Sequence, residues 1–394
     1  MEVRPLLSAR VRAIDVSGIR RIFELGASLK DPINLSIGQP DFPVPEAIKR
    51  ATKDAIDADK NGYTLTRGIP ELRSRIVAHL QDDIGWTGFD AGATGAMVTS
   101  GTSGALLLSA LALLDPGDEC VIPDPYFVIY PNLATMAGGA RAVLCDTYPD
   151  FRLTAERVEP LLTEKTKFVL MVSPANPTGV VMTNTECRDL LDLCRRRGVL
   201  LIADEIYDEF IYEEFMEPTP ADPARRASPS AARHPGAEES MLVIRGFGKT
   251  YGCTGWRLGY AAGPAPLIAE MAKLQQYSFV CAPSMAQWGA LAAFDCDMSA
   301  TIASYARRRD MVMDKLAPLT DLPTPGGSFF AFFKIPDRLG VTGAQFAQAC
   351  IERNVLVIPG GAFSARNTHI RISFAVSEEK LAAGLTVLAD LLAG

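Results

Sequence analysis

The stretch RGFGKTYGCTGWRLGY, residues 245–260, sets a single lysine, Lys249, among small residues directly after the apolar run MLVI, with Arg257 following in the same motif. A lysine at the end of a buried strand loses its hydration, so it must find a partner, shed its proton or do chemistry. Three uses fit such a residue: a solvated loop cation, a phosphate contact, or an amine kept to form an imine with an aldehyde. The rest of the chain has to choose among them.

With 394 residues, 48% of them hydrophobic, the chain is long enough for two domains and a sizeable core. Lys and Arg number 39 against 46 Asp and Glu, a net charge of -7 that offers no overall attraction to nucleic acid or anionic lipid. The eight cysteines are scattered without a CxxC pair and read as reduced core residues. Only His79, His234 and His369 supply imidazole, so neither a metal site nor a His-dependent triad is expected. The segment MEVRPLLSARVRAIDVSG lacks the unbroken apolar run of a signal peptide, and GALLLSALALL is too short to span a bilayer. The expectation is a cytoplasmic protein acting on small molecules.

From about residue 95 short apolar runs alternate with amphipathic helices. GAMVTSGTSGALLLSALALL reads as a strand ending near Thr99, a small-residue turn and a helix opening near Ser103. ECVIP, KFVLMV and VLLIA are further strands, the last running into Asp204. In TNTECRDLLDLCRRRG, residues 183–198, Thr183 and Glu186 have capping-box spacing, Cys187, Leu190, Leu191 and Cys194 share a face, and Gly198 closes the helix. Such alternation predicts an α/β fold with a mostly parallel central sheet covered by helices, and a ligand site at the carboxyl ends of its strands. Asn176, Asp204 and Lys249 each fall just past such an end and should converge. Residues 217–240, EPTPADPARRASPSAARHPGAEES, read as a mobile surface loop. Beyond about residue 300 a charged helix, SYARRRDMVMDKL, and the strand-like runs GSFFAFFKI and HIRISFAV indicate a smaller α+β domain. The expected division is an N-terminal segment, 1–45, joining the small domain; a large α/β domain, 46–285; and a small C-terminal domain, 286–394.

From INLSIGQPDFPVPEAI to IRISFAVSEEKL the chain resembles the fold-type I, class I/II pyridoxal-phosphate (PLP) aminotransferases, the family of aspartate aminotransferase. NPTG alone is ordinary turn chemistry; several motifs in the family's order make the resemblance specific. It implies that Lys249 is the Schiff-base lysine and carries a proton between Cα and the cofactor. Asp204, in ADEIYDEF, then bonds the pyridinium nitrogen and keeps it protonated, while Tyr207 and Asn176 bond the phenolic oxygen. Gly101, Thr102 and Ser103, where a strand turns into a helix, would hold the phosphate together with Arg257. Phe127, in PYFVIY, would cover the ring, and Tyr63, in NGYTLTRGIPELR, would reach the phosphate of a neighbouring subunit, which implies a homodimer with shared sites. Arg371, in HIRISF, would bind the substrate α-carboxylate, with Gly38, in SIGQPDF, and Asn176 beside it. Read without the resemblance, each of these residues has a plainer use as a cap, a turn or core packing.

Two points depart from the family pattern or go beyond it. Gly248 stands where many relatives carry a serine that bonds the phosphate. Phe23, Tyr126, Tyr277, Phe329 and Phe330 are candidates for an aromatic side-chain pocket. The function implied is transfer of an amino group from an L-amino acid to a 2-oxo acid by a ping-pong mechanism. A β-lyase, cyclase, decarboxylase or oxidase on the same scaffold would need the same lysine, aspartate and arginines. A PLP-sensing regulator would need a DNA-binding domain, for which the roughly 30 residues before INLSIGQP are too few.

Overall fold

A computed structural model of the chain describes residues 3–16, 18, 22, 26 and 29–394. The apolar runs become one seven-stranded sheet: β1 (Thr94–Thr99), β2 (Glu119–Asp124), β3 (Arg141–Asp146), β4 (Thr166–Val172), β5 (Leu200–Asp204), β6 (Met241–Gly246) and β7 (Gly259–Pro264), in the order β1-β7-β6-β5-β4-β2-β3. Strand β7 runs antiparallel to both its neighbours, and every other neighbouring pair is parallel.

Successive side chains of a strand face opposite ways, so a strand covered on both sides shows an unbroken apolar run instead of alternation. In β4, Phe168 and Leu170 pack with Leu106, Leu133 and Ile268, from helices Gly101–Leu113, Tyr130–Met136 and Ala265–Ser278. Val169 and Met171 face the other side and meet Leu72 and Leu190, from helices Pro70–Ile84 and Asn184–Arg197. The capping box of Thr183 and Glu186 forms as expected, and Gly198, at φ 65°, ends that helix. All eight cysteines are free, six of them buried. Among the described residues no helix is long and apolar enough to cross a membrane, and no metal-ligating cluster occurs.

A second sheet, all antiparallel, consists of β8 (Phe330–Lys334), β9 (Ile358–Pro359) and β10 (His369–Ser373), in the order β8-β10-β9. Helices Ser299–Leu316 and Glu378–Ala393 cover it around a separate core. The N-terminal strand Ile33–Asn34 pairs in parallel with Val355–Leu356. The α/β architecture is therefore the one the sequence pattern predicts.

The stretch 217–240 corrects an expectation. Residues 220–224 are exposed, but 228–233 are buried, and Ala231, Ala232 and Ala237 belong to the main core. A composition rich in Ala and Ser also suits tight packing, because small side chains let a turn lie close against a helix. Trp86 Nε1 donates to the Ala232 carbonyl at 2.8 Å, and Arg233 pairs with Asp83 at 2.7 Å.

Asp83 leads to a buried ion cluster that the sequence did not suggest. Arg245, on β6 and only 1% exposed, pairs with Asp83 at 2.8 Å, Glu205 at 2.9 Å and Asp208 at 3.1 Å. Burial alone would raise the Asp83 carboxyl, but Arg245 and Arg233 outweigh it and hold the group well below the usual range. Its stabilising contribution is thus present above the ordinary carboxylate pKa and is lost as pH falls towards the depressed value. Asp83→Asn leaves Arg245 and Arg233 short of a countercharge and should cost about 3–5 kcal/mol, read as a lower urea midpoint with an unchanged slope.

Candidate active site

The sheet register brings the expected residues to one edge. Val172, at the end of β4, lies beside Asp204, which pairs with Ile244 of β6. Gly246, at the end of β6, lies beside Gly259, which pairs with Thr99 at the end of β1. Because β7 is antiparallel, its amino end shares this edge, so Arg257 arrives from before a strand, Asp204 ends one, and Asn176 and Lys249 arrive from after one.

These elements enclose a cavity of about 270 Å³. Gly38, Gly101, Thr102, Ser103, Phe127 and Asn176 line it, as do Asp204, Tyr207, Lys249, Arg257 and Arg371. Tyr63 does not; it is 88% exposed. Of the proposed aromatic pocket, Phe329 and Phe330 are fully buried instead, Phe329 against Tyr207 and Phe210 and Phe330 beneath the Arg371 guanidinium at 4.4 Å. Neither ring is among the residues that line the cavity, although the Phe329 ring stands 5.8 Å from Lys249 Nζ. Tyr126 borders a neighbouring groove, Tyr277 is exposed, and Phe23 lies outside the described residues.

Lys249 sits in the single helical turn Phe247–Thr250 directly after β6, and its Nζ donates to the Gly38 carbonyl. Burial, helped by Arg371 and Arg257, lowers its pKa to about 8, while Asp204 acts the other way. Burial raises Asp204 to about 6, against the pull of a hydrogen bond from Tyr130. Tyr130 Oη donates to Asp204 Oδ2 at 2.8 Å, and Ile206 N–H donates to Oδ1. Tyr130 was not anticipated as a site residue. Its signal was present in PYFVIY, since Phe127 and Tyr130 stand three apart and reach the same wall.

Arg371, on β10, is 1% exposed, and among the described residues no carboxylate pairs with it. Its Nη1 donates to Asn176 Oδ1 at 3.1 Å and its Nη2 to the Ser36 carbonyl at 2.6 Å, while its buried Nε has no partner. Burial lowers its pKa to about 9, which leaves it a cation at neutral pH. Helix Gly101–Leu113 begins without a side-chain cap, so its first N–H groups have no acceptor one turn back. Gly101 is required there: its φ is 67°, and a Cβ would stand 2.8 Å from Arg257 Nη2. Arg257 itself adopts φ 53°, a strained backbone for a non-glycine residue. Gly248 has no positive φ; a Cβ there would meet Thr254 Cα at 3.3 Å, which is close but not prohibitive.

The family described as aminotransferase class I and II matches residues 30–388. A probable aspartate aminotransferase of Methanocaldococcus jannaschii is 35% identical over 98% of this chain and 100% of its own length. An aromatic-amino-acid aminotransferase of Thermococcus litoralis is 33% identical over 95% of both chains. Among solved structures, the aspartate aminotransferase of Thermus thermophilus with maleate superposes with a TM-score of 0.86 at 32% identity, covering 98% of this chain and 99% of that one. Such similarity favours transamination over the other reactions this scaffold supports. A half-buried lysine, a carboxylate lining the same cavity and a buried, unpaired arginine have thus come together in an enzyme of the class I and II aminotransferase family, a pyridoxal-phosphate-dependent transaminase.

Proposed function

We propose that this cavity exchanges an amino group between an L-amino acid and a 2-oxo acid, in a cytoplasmic homodimer whose subunits share their sites. The imbalance of charge supports the reading best. Three cations, Lys249, Arg257 and Arg371, line the cavity with one carboxylate, Asp204. Arg371 is buried, Lys249 half-buried and Arg257 exposed at the rim; a buried cation without a counterion is costly, and a substrate carboxylate at Arg371 with a phosphate at Arg257 would balance the charge.

The residues fit pyridoxal phosphate. The uncapped first turn at Thr102 and Ser103 and the fork of Arg257 suit its phosphate, and the buried carboxylate of Asp204 suits its ring nitrogen. When bound, the cofactor supplies a carbonyl carbon for amine exchange and a ring that accepts the electron pair of the Cα–H bond. Lys249 Nζ, with its pKa lowered to about 8, is partly unprotonated near neutrality, so it would hold the cofactor through its carbonyl carbon, with water released, and would be the group placed to take and return the Cα proton. Asp204, raised to about 6, is ionised near neutrality and would keep a proton on the ring nitrogen. Asn176 turns its oxygen to Arg371, which leaves Nδ2 as the donor that, with Tyr207, would hold the phenolic oxygen. Phe127 would cover the ring. Arg371 holds the α-carboxylate, assisted by Gly38, and so orients the Cα–H bond.

The exposed side chains of Tyr63, Leu65, Tyr277, Phe279 and Val280 support the homodimer. Gln275 Nε2 donates to the Thr66 carbonyl, which links the two segments that carry them. Phe279 lies beside the first turn of helix Gly101–Leu113, where its ring would stand 3.8 Å from a Cβ at Gly104.

Mixing the holoenzyme with single amino acids should convert the cofactor to its amine form, seen as a change in absorbance; absence of conversion with every amino acid argues against transamination. Lys249→Ala should abolish turnover yet still bind the cofactor non-covalently, measured by steady-state assay and spectral titration. Cofactor binding should weaken as pH falls below about 6, where Asp204 takes up a proton. Tyr130→Phe removes a bond that favours the carboxylate, so it should move this loss to higher pH. Tyr63→Ala and Lys249→Ala enzymes, each impaired alone, should regain activity when refolded together. In the mixed dimer one site joins an intact lysine to the partner subunit's Tyr63, and no recovery would place Tyr63 outside the shared site.

A further inference from the structure

The motif SIGQPDF contributes more to the site than Gly38. Upstream, Leu35 is fixed on both sides by backbone bonds: its N–H donates to the Leu356 carbonyl at 2.9 Å, and its carbonyl accepts from Ser373 N–H at 2.7 Å. Downstream, Asp41 is fixed by side chains of helix Ser299–Leu316. Arg308 Nη1 donates to both Asp41 carboxylate oxygens, at 2.9 and 3.0 Å. Tyr305 Oη donates to Asp41 Oδ1 and accepts from Asp41 N–H at 3.1 Å.

The residues strung between these two anchors form a strap across the cavity. Its Ser36 carbonyl accepts from Arg371, and its Gly38 carbonyl accepts from Lys249. Phe42, just past Asp41, stands edge-on to Tyr305 and presses its carbonyl against the turn after Lys249, where a Cβ on Gly252 would come within 2.8 Å of that oxygen. The Asp41 and Arg308 side chains are 27% and 14% exposed, so their pairing is partly shielded from water. A strap held at one end only would have to be ordered each time a substrate carboxylate bound, and that conformational entropy would be charged against binding.

We propose that Asp41 is a positioning residue for substrate capture: by clasping Tyr305 and Arg308 it keeps the strap ordered, so that Ser36 and Gly38 hold Arg371 and Lys249 ready for the substrate. The proposal rests on the assignment of Arg371 to the substrate carboxylate. It predicts a much larger defect in carboxylate binding than in cofactor binding, because the strap bonds Arg371 directly and, of the residues assigned to the cofactor, bonds Lys249 alone.

The test compares wild-type holoenzyme with Asp41→Ala, Asp41→Asn, Arg308→Lys and Arg371→Ala. It measures KM, kcat, the melting temperature, the Kd for PLP, and the Kd for two unreactive carboxylates, succinate and 3-phenylpropanoate, from the cofactor absorbance. Asp41→Ala should raise the KM for amino acid and oxo acid, and the carboxylate Kd, by about tenfold. The kcat and the Kd for PLP should change by less than about twofold. Asp41→Asn keeps an acceptor for Tyr305 and should show a smaller rise of the same pattern, which secures the test if the alanine variant does not fold. Arg308→Lys keeps the charge but not the fork and should fall between wild type and Asp41→Ala. Unchanged carboxylate binding in a folded Asp41 variant, with binding lost in Arg371→Ala, overturns the role of the strap alone. Equal weakening of PLP and carboxylate also overturns it, since that marks general loosening. Carboxylate binding that survives Arg371→Ala overturns both the proposal and the assignment beneath it.

Discussion

A guanidinium that water cannot reach ties the catalytic edge together. Arg245 leaves β6 near the carboxyl edge and pairs with Asp83 from helix Pro70–Ile84 and with Glu205 and Asp208 from the segment after β5. The same two strands position the reacting groups, since Asp204 ends β5 and Lys249 follows β6 by three residues. A slip of one residue in their pairing would turn every side chain to the opposite face and strand the charges away from their partners. Buried ions tolerate no such loss, so the cluster fixes the register on which the spacing of Asp204 and Lys249 depends. Burial also pushes the Asp208 carboxyl upward despite Arg245, which trims the excess of negative charge among Asp83, Glu205 and Asp208.

Two groups of charges therefore lie close together with opposite logic. Beneath Asp204 each buried cation has carboxylates in hydrogen-bond reach, and the result is structural. In the cavity above, Arg371 is as deeply buried as Arg245 yet meets only an amide oxygen, a carbonyl and aromatic rings. Its charge is stabilised well enough to persist and too little to be content without an anion. Lys249 is lowered chiefly by burial, and the Arg371 and Arg257 guanidinium groups further disfavour a third positive charge. The features that prepare the site for anionic ligands thus also make its lysine an available amine.

The backbone shows the same division. Arg257 accepts a left-handed conformation so that its side chain meets the glycine at the start of helix Gly101–Leu113, where any Cβ would collide with it. The strap of SIGQPDF spans the cavity between backbone bonds at Leu35 and the Asp41 clasp, and so couples the antiparallel domain to the lysine turn without a covalent link. Neither device contributes much to the core; both govern where polar atoms point.

Strand-and-helix order was legible in the sequence because it rests on local periodicity: the unbroken runs around Val169 and Leu201 and the capping box at Thr183 need no distant partner to be recognised. Asn176, Asp204 and Lys249 were legible from their places at strand ends, while Gly38, Phe127, Tyr207, Arg257 and Arg371 were named through the motifs that carry the family resemblance. The aromatic residues stayed open between pocket and core, because a phenylalanine's pattern is the same whether it lines a pocket or supports an arginine, as Phe330 does. Residues 228–233 were misjudged because small residues suit both loops and tight packing. Arg245, Tyr130 and Asp41 gained their meaning only in three dimensions. Their partners lie 162, 74 and 267 positions away, and the pairing of charges across such distances is decided by which strands neighbour one another and by what burial does to an ion.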